Sequence, residues 1–202
     1  PSCTSCREPL NQRPPYGLCI SCERALEPNT APVPKSLMDQ LDGFAAPHLY
    51  GGPLADLIGR LKFNGERSVA TQLAKLIHSS CSNVLTSPLT HIVPIPLGRA
   101  RLRARGFNQS TLIARQLSKR SPLALSHCLR RTRDTSPQTQ LDKHTRRINV
   151  TGAFAPNRAR VPEHIVLVDD VVTTGATMQS AAQTLRAHGA KTIWGIAAAL
   201  TA

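Results

Sequence analysis

Two adjacent carboxylates, Asp169 and Asp170, stand two residues before a run of small and hydroxyl-bearing residues: Thr173, Thr174, Gly175, Ala176 and Thr177. Threonine hydroxyls and the free N–H groups at the start of a helix can together bind a phosphate. Glycine in that run lets the backbone approach the anion closely. The two carboxylates would repel the same phosphate, so they suit sugar hydroxyls or a metal ion instead. The pattern favours a site for a ribose 5-phosphate.

A buried strand and a helix are expected on either side of these residues. The apolar residues 165–168 predict a strand that ends at the acid pair, and a helical pattern begins at Met178 and continues to about His188. In an open parallel sheet, ligands bind at the carboxyl ends of strands, where the next helix begins. The alternative is a strand–helix unit whose acids only cap the helix. A Walker-type nucleotide loop is disfavoured, because the chain has no Gly-x-x-x-x-Gly-Lys-Ser/Thr run.

Four of the six cysteines form two Cys-x-x-Cys pairs with twelve residues between them: Cys3, Cys6, Cys19 and Cys22. Two such pairs can supply four thiolates to one tetrahedral Zn²⁺. The intervening segment is rich in turn formers and poor in apolar residues, so the metal would supply most of the folding energy of this module. With all four positions filled by cysteine, the zinc is expected to be structural. Disulfides are the alternative, which a cytosolic location would disfavour.

The composition predicts a globular protein with a large excess of positive charge. The chain has 202 residues, 25 Lys and Arg against 12 Asp and Glu, and a net charge of +13. That charge favours a polyanionic partner, either nucleic acid or a ligand with a pyrophosphate, although a genomic bias toward Arg is an alternative cause. No apolar run approaches the ~18 residues of a membrane span, and the N-terminus lacks the regions of a signal peptide. We therefore expect a cytoplasmic protein that does not insert into a membrane.

Three regions are expected along the chain: a zinc module at 1–27, a proline-rich linker at 28–40 and an α/β domain at 41–202. In the α/β domain we expect strands over 44–50, 91–95 and 192–200. We expect helices from Pro53 to before Gly65 and over 69–77. The strand at 165–168 would complete a parallel sheet flanked by helices.

A basic segment follows the strand expected over 91–95. Leu97 and Gly98 precede four arginines at every second position: Arg99, Arg101, Arg103 and Arg105. An extended chain would place these arginines on one face, whereas a helix would spread them around its axis. The planar guanidinium group matches phosphate oxygens, so the segment is a candidate pyrophosphate clamp, with a solvated surface loop as the alternative. Asn108 or Ser110 is expected to cap the helix that follows.

Residues 130–149 form a second basic segment with little periodicity. A loop of this length in a compact domain is usually functional or disordered. We expect a lid that closes over an anionic substrate and excludes water, and a merely flexible connection is the alternative.

The stretch 165–177 closely resembles the phosphoribosyl-pyrophosphate (PRPP) motif of type I phosphoribosyltransferases, in which an apolar strand, two acids and a Thr/Gly phosphate loop follow one another. Further stretches resemble the ComF family, namely the four-cysteine module, 61–65, 93–97, 105–109, and 138–141 followed by 146–150. The chain is therefore identified as a member of that family. The resemblance implies a type I phosphoribosyltransferase fold behind a zinc module.

The resemblance also implies roles for individual residues. Asp169 and Asp170 would hold the ribose 2′- and 3′-hydroxyls and favour the positive charge that develops on the ring, and residues 173–177 would wrap the 5′-phosphate. Mg²⁺ would accompany the pyrophosphate of PRPP. The candidates for binding that pyrophosphate are Leu97, Gly98, Arg99, Arg103 and Arg105, and the lid candidates are Gln138, Arg146 and Arg147.

Three functions remain open from the sequence, because no residue can be assigned as general base for an acceptor. The first is a PRPP-dependent transferase with an unidentified acceptor. The second is a PRPP sensor without turnover. The third is a single-stranded DNA-binding accessory protein for natural transformation, which would work beside a competence helicase or another DNA-processing protein.

Overall fold

The computed structural model describes residues 1–12, 14–86, 88–133, 152–158 and 160–201. The helices are α1 Ile20–Arg24, α2 Lys35–Met38, α3 Gly52–Phe63, α4 Val69–Cys81, α5 Arg99–Arg105, α6 Gln109–Ser118 and α7 Ala176–Ala187. The strands are β1 Gly43–Ala45, β2 His48–Leu49, β3 His91–Pro94, β4 Ala124–Leu125, β5 Leu129–Arg131, β6 Phe154–Pro156, β7 His164–Val172 and β8 Thr192–Leu200. None of the helices within the described ranges is both long and apolar enough to cross a membrane.

The main sheet is parallel, as expected, and has the strand order β1-β8-β7-β3-β4, with β2 also paired to β8. Strand β7 lies at its centre, between β8 and β3, and a two-stranded antiparallel sheet is formed by β5 and β6. Parallel strands buried on both faces are continuous apolar runs, which explains the sequences of β7 and β8. The strand that carries the acid pair is thus hydrogen-bonded to a neighbouring strand on each side.

Helices cover both faces of the sheet and form two cores. One core joins α3, α4 and α6 to the sheet and contains Leu57, Leu73 and Ile113. The other joins α2 and α7 to the opposite face and contains Leu37 and Leu185. The predicted architecture, a parallel sheet flanked by helices, is confirmed.

Two of the predicted strands have different bounds in the structure. The strand expected at 165–168 extends to Val172, because the ladder with β8 continues past the acids to the pair Val172–Leu200. The strand expected over 44–50 is divided into β1 and β2 around Pro47, a residue that has no N–H to donate to a ladder. Both short strands pair with β8.

The basic segment is helical in the structure, so the extended alternative is wrong. Helix α5 begins after Gly98 and ends at Gly106, which adopts the left-handed conformation at φ 76°. Asn108, not Ser110, caps the next helix, because its side chain accepts a hydrogen bond from the Ser110 N–H at 3.1 Å. The two helices α5 and α6 therefore meet at a sharp turn beside the carboxyl end of β3.

The N-terminal region packs against helices α3 and α4. Ser5 Oγ donates to Asp56 of α3 at 2.7 Å, and Gln72 of α4 donates to Thr4 Oγ1 at 3.1 Å. The segment 28–40 contains helix α2, whose Leu37 is fully buried. The division into module, linker and domain stays a prediction, although these contacts join all three regions.

Candidate functional site

The acid pair lies near the carboxyl end of β7, against the first turn of α6. Asp169 is half-buried, whereas Asp170 is only 3% exposed. Ser110 Oγ donates to Asp169 Oδ1 at 2.8 Å, and Gln109 Nε2 donates to Asp170 Oδ1 at 3.2 Å. The start of α6 therefore fixes both carboxylates from one side.

Lys62, near the end of α3, approaches the acid pair from another direction. Its ammonium group forms an ion pair with Asp170 Oδ2, an oxygen that is itself buried. A buried carboxylate needs such a partner, because isolated burial of a charge is costly. Lys62, Gln109 and Ser110 were not among the sequence-predicted site residues. Lys62 and Gln109 do fall within the stretches 61–65 and 105–109 that carry the family resemblance, and this was the available signal.

The two acids differ electrostatically. Burial of the carboxyl group and repulsion from Asp170 raise the pKa of Asp169 to about 7, even though the hydrogen bond from Ser110 and the charge of Lys62 act in the opposite direction. At neutral pH this carboxyl is therefore partly protonated. It would lose its remaining proton when a cation or a set of hydroxyl donors binds.

A chain of side chains links α5 to the acid pair. Arg105 Nη1 donates to Gln109 Oε1 at 2.5 Å, and the same amide donates to Asp170 through its nitrogen. The guanidinium group of Arg105 also lies over the ring of Phe63, with its carbon 5.9 Å from the ring centre. Lys62 and Phe63 are consecutive, so the two ends of this network return to the same turn of α3.

The phosphate-loop candidates surround a cleft together with Asp169. The cleft is lined by the end of β7, residues 173–177 and Met178 of α7. Gly175 precedes α7 in the left-handed conformation at φ 77°. A Cβ on Gly175 would lie 2.4 Å from Cγ of Leu37, so glycine is required by both conformation and space. Thr173 is exposed and Thr174 and Thr177 are half-buried, which leaves hydroxyl groups available to a ligand.

The pyrophosphate candidates lie along the end of β3 and on α5. Leu97 is half-buried, Gly98 is buried, and Arg99 and Arg103 are exposed. Arg105 is half-buried and is the candidate that the network above connects to the acid pair. In a helix, residues four apart share a side, so Arg99 and Arg103 form one basic edge of α5 and Arg101 and Arg105 form the other.

The lid candidates Gln138, Arg146 and Arg147 lie outside the described residues. Their proposed contact with an anionic substrate therefore stays a prediction.

The four predicted zinc ligands are clustered. The sulfur atoms of Cys3, Cys6, Cys19 and Cys22 all lie within 4.8 Å of one another. A tetrahedral site with Zn–S bonds of about 2.3 Å places its sulfurs roughly 3.8 Å apart. The Cys6–Cys19 sulfur distance of 3.7 Å fits that value.

Backbone N–H groups support this cluster. The Cys19 N–H donates to Cys3 Sγ at 3.3 Å, and the Cys22 N–H donates to Cys19 Sγ at 3.4 Å. Burial acts to raise the pKa of Cys3, but N–H donors outweigh it and lower that pKa to about 6, whereas burial raises the pKa of Cys22 to about 12. The residues present fit a closed structural zinc site, in which bound metal keeps all four sulfurs deprotonated.

Comparisons with known proteins identify the family of the chain. Residues 104–201 match the phosphoribosyl transferase domain family. The DNA utilization protein YhgH of Escherichia coli O157:H7 is 33% identical over 95% of this chain and 93% of its own length. Competence protein F of Haemophilus influenzae is 34% identical over 74% of this chain and 70% of its own length.

One solved structure, described as that of the allosteric regulatory enzyme of purine biosynthesis, aligns with a TM-score of 0.41 and 17% identity. It covers 65% of this chain and 26% of its own. The Escherichia coli relative, by contrast, aligns with 95% of this chain, so its match extends well beyond residues 104–201. The chain belongs to the ComF family, with a phosphoribosyl transferase domain in its carboxyl-terminal half and a four-cysteine cluster at its front.

Proposed function

We propose that the protein binds PRPP, with the ribose hydroxyls at Asp169 and Asp170 and the 5′-phosphate at residues 173–177. The observation that carries this proposal is the cleft that Asp169 shares with the loop and the start of α7. Carboxylates accept hydrogen bonds from sugar hydroxyls, and the N-terminus of α7 attracts an anion. A phosphorylated ribose presents both kinds of partner in one ligand.

Mg²⁺ is expected to accompany PRPP, since this ion usually binds through substrate phosphates and one or two carboxylates. The ammonium of Lys62 now contacts the Asp170 oxygen that a metal or a ribose hydroxyl would use. Ligand binding would therefore either move Lys62 away from Asp170 or leave Lys62 and the ligand in contact with the same carboxylate. When bound, the ion would screen the charge of the leaving pyrophosphate.

The pyrophosphate is assigned to the segment that follows β3. Gly98 brings the backbone close to this end of the sheet, and the exposed guanidinium groups of Arg99 and Arg103 can form paired hydrogen bonds with phosphate oxygens. Arg105 would add its positive charge from a fixed position beside Gln109.

The chemistry that fits this site is replacement of pyrophosphate at C1 of PRPP by an acceptor. The acid pair would stabilise the positive charge that develops on the ribose ring. A PRPP sensor would use the same contacts without turnover. Acceptor-dependent release of pyrophosphate would separate the two, because only the transferase produces it.

A role in DNA handling is a second proposal, supported by the names of the relatives, a DNA utilization protein and a competence protein. The net charge of +13 supports a polyanionic partner. We propose single-stranded DNA as that partner, with a competence helicase or another DNA-processing protein beside it.

Calorimetric titration of PRPP, with and without Mg²⁺, tests the first proposal. The wild type is compared with Asp170→Asn, which keeps the size of the side chain and removes its charge. Asp39→Asn, at an exposed carboxylate just after α2, is the matched control. We expect Mg²⁺-dependent binding to the wild type and the control, and weak or no binding to Asp170→Asn. Equal PRPP affinity in all three proteins would contradict the proposal.

A further inference from the structure

Phe63, the last residue of α3, is 79% exposed. Among the large apolar side chains in the described ranges it has the highest exposure. An aromatic ring stabilises the folded state through the area that it buries, so an exposed ring contributes little to stability. Aromatic residues make up only 3% of this chain. Its neighbour Lys62 contacts Asp170, so this ring lies on the turn of α3 that reaches the acid pair.

The ring is held in place by the same network that holds the acid pair. The Arg105 guanidinium lies over Phe63, and its hydrogen bond to Gln109 limits its motion. A second pair of the same kind is formed by Arg67, between α3 and α4, and the largely buried ring of Phe107, in the loop after α5, at 5.0 Å. With 79% of Phe63 exposed, ring surface stays open even though the guanidinium lies over it, and aromatic rings and arginine side chains are the groups that stack on nucleic-acid bases.

Positive charge continues from this ring along α5. Arg101 lies on the same side of the helix as Arg105, and the charge of Arg101 contributes to lowering the pKa of Arg105, after burial as the main cause. Arg101 is exposed. A single free base would use only the planar groups, whereas a polynucleotide would also use the row of charges.

We propose that Phe63 and Arg105 form a stacking platform for an unpaired base of a single-stranded nucleic acid, and that Arg101 binds the adjoining phosphate. This inference rests on the proposed role in DNA handling. It brings a base of the strand to the edge of the pocket that we assign to the ribose of PRPP. The platform and the pocket share the turn of α3 that contains Lys62 and Phe63.

The test uses the full-length, zinc-loaded protein and a fluorescein-labelled oligothymidylate of about 20 nucleotides, with binding followed by fluorescence anisotropy. Phe63→Leu keeps an apolar side chain and removes the ring, and we expect its affinity to fall about 5- to 150-fold. Phe63→Trp should bind as well as the wild type or better. Tyr50→Leu is the matched control, since Tyr50 is 43% exposed just before the other end of α3, about 18 Å away. Equal affinity of Phe63→Leu and the wild type would overturn the platform.

Salt dependence separates stacking from charge. The slope of log K against log salt should be the same for Phe63→Leu and the wild type, and should become shallower by about 0.7 in Arg101→Ala. An unchanged slope in Arg101→Ala would overturn the assignment of a phosphate to that residue. A further outcome is that free thymine quenches the fluorescence of the tryptophan introduced by Phe63→Trp as strongly as the oligonucleotide does. That result would identify a small-molecule base as the occupant and overturn the proposal of a single-stranded nucleic acid.

The PRPP titration of the same proteins keeps the two proposals apart. Loss of oligonucleotide binding in Phe63→Leu supports the platform even if PRPP does not bind the wild type. The absence of PRPP binding would refute only the PRPP site. A wild type that binds PRPP and no oligonucleotide refutes both the single-stranded DNA partner and the platform. Equal oligonucleotide affinity of the wild type and Phe63→Leu refutes the platform alone.

Discussion

The side-chain nitrogen of Gln109 lies 3.2 Å from Oδ1 of Asp170, and this hydrogen bond joins the start of α6 to the central strand. Its geometry leaves the amide oxygen of Gln109 free to accept from Arg105. One amide therefore satisfies a buried anion on one side and a cation on the other.

Replacement of Gln109 by Leu should weaken PRPP binding about ten- to hundredfold, because a hydrogen bond to a charged group contributes about 1.5–3 kcal/mol. The change leaves Arg105 and Asp170 each without this partner. Calorimetry measures the effect, and circular dichroism confirms that the fold is kept. Gln116→Leu is the control, because that glutamine lies later in α6 and accepts from Arg120, just after the helix ends. Unchanged PRPP affinity in Gln109→Leu would remove Gln109 from the positioning of the acid.

Lys62→Met should destabilise the protein at pH 7 by up to about 3 kcal/mol, since it leaves the buried Asp170 without its cation. The loss should be smaller at pH 5.5, because Asp169, whose pKa is raised to about 7, is then protonated and no longer repels Asp170. Urea unfolding at both pH values measures the difference. Lys75→Met, on the partly exposed face of α4, is the control and should change the free energy of unfolding by less than about 0.5 kcal/mol. An equal loss at both pH values would contradict the electrostatic cause.

Asp169 should make the folded state less stable as the pH rises. Its pKa is raised to about 7 in the folded protein, so the folded state binds this proton more tightly than the unfolded state does. The free energy of unfolding should therefore fall as the pH rises from the unfolded pKa near 4 toward 7, by up to a few kcal/mol. Asp169→Asn should flatten this dependence between pH 5.5 and 7.5. Measurement of zinc content at each pH excludes metal loss as the cause, and parallel curves for the two proteins would show that Asp169 does not titrate there.

Gly175→Ala should destabilise the protein by about 2 kcal/mol or more, because an added Cβ meets Leu37 and the backbone is left-handed. Leu37→Ala should relieve part of this cost in the double variant, so the two changes should not be additive. Gly59→Ala, in the middle of α3 with open space around it, should instead stabilise by about 0.5–1 kcal/mol. Additive effects of Gly175→Ala and Leu37→Ala would mean that the steric contact is not the cause.

The purified protein should contain one zinc ion for each chain. Cys3→Ser should lower the zinc content and destabilise the N-terminal region, because Cys3 and Leu18 belong to the core shared with α3 and α4. Elemental analysis and hydrogen exchange over residues 1–26 measure the two effects. Cys81→Ser, at a buried cysteine outside the cluster, should cost stability without loss of zinc. Full zinc occupancy in Cys3→Ser would contradict the four-sulfur site.

The contiguous residues of the candidate site are the ones whose proximity the sequence could predict. The acids, the glycine and the helix start follow one another within a few residues, although the strand continues through the acids to Val172 instead of ending before them. Their ligand roles stay predictions. Lys62 and Leu37 reach the same region from segments more than 100 residues away, and only the folded sheet brings them there. No local rule relates a lysine in an amphipathic helix to a distant carboxylate.

Two local predictions failed or stayed open for reasons that the structure explains. Arginines at every second position do not follow the period of a helix. Arginine and alanine nevertheless favour helices, and Gly98 and Gly106 stand at the two ends of α5. The segment 44–50 has strand propensity on both sides of Pro47, and the missing N–H at that residue divides it.

The side chain of Leu37 fills the space beside Gly175, so there is no room there for a side chain at position 175. Any relative with a larger residue than glycine at the position of Gly175 must therefore have a smaller residue at the position of Leu37, or a displaced α2. The two positions should change together during evolution, although one lies in the proline-rich segment and the other in the phosphate loop. A survey of paired substitutions at these positions would reveal this steric contact without any structure.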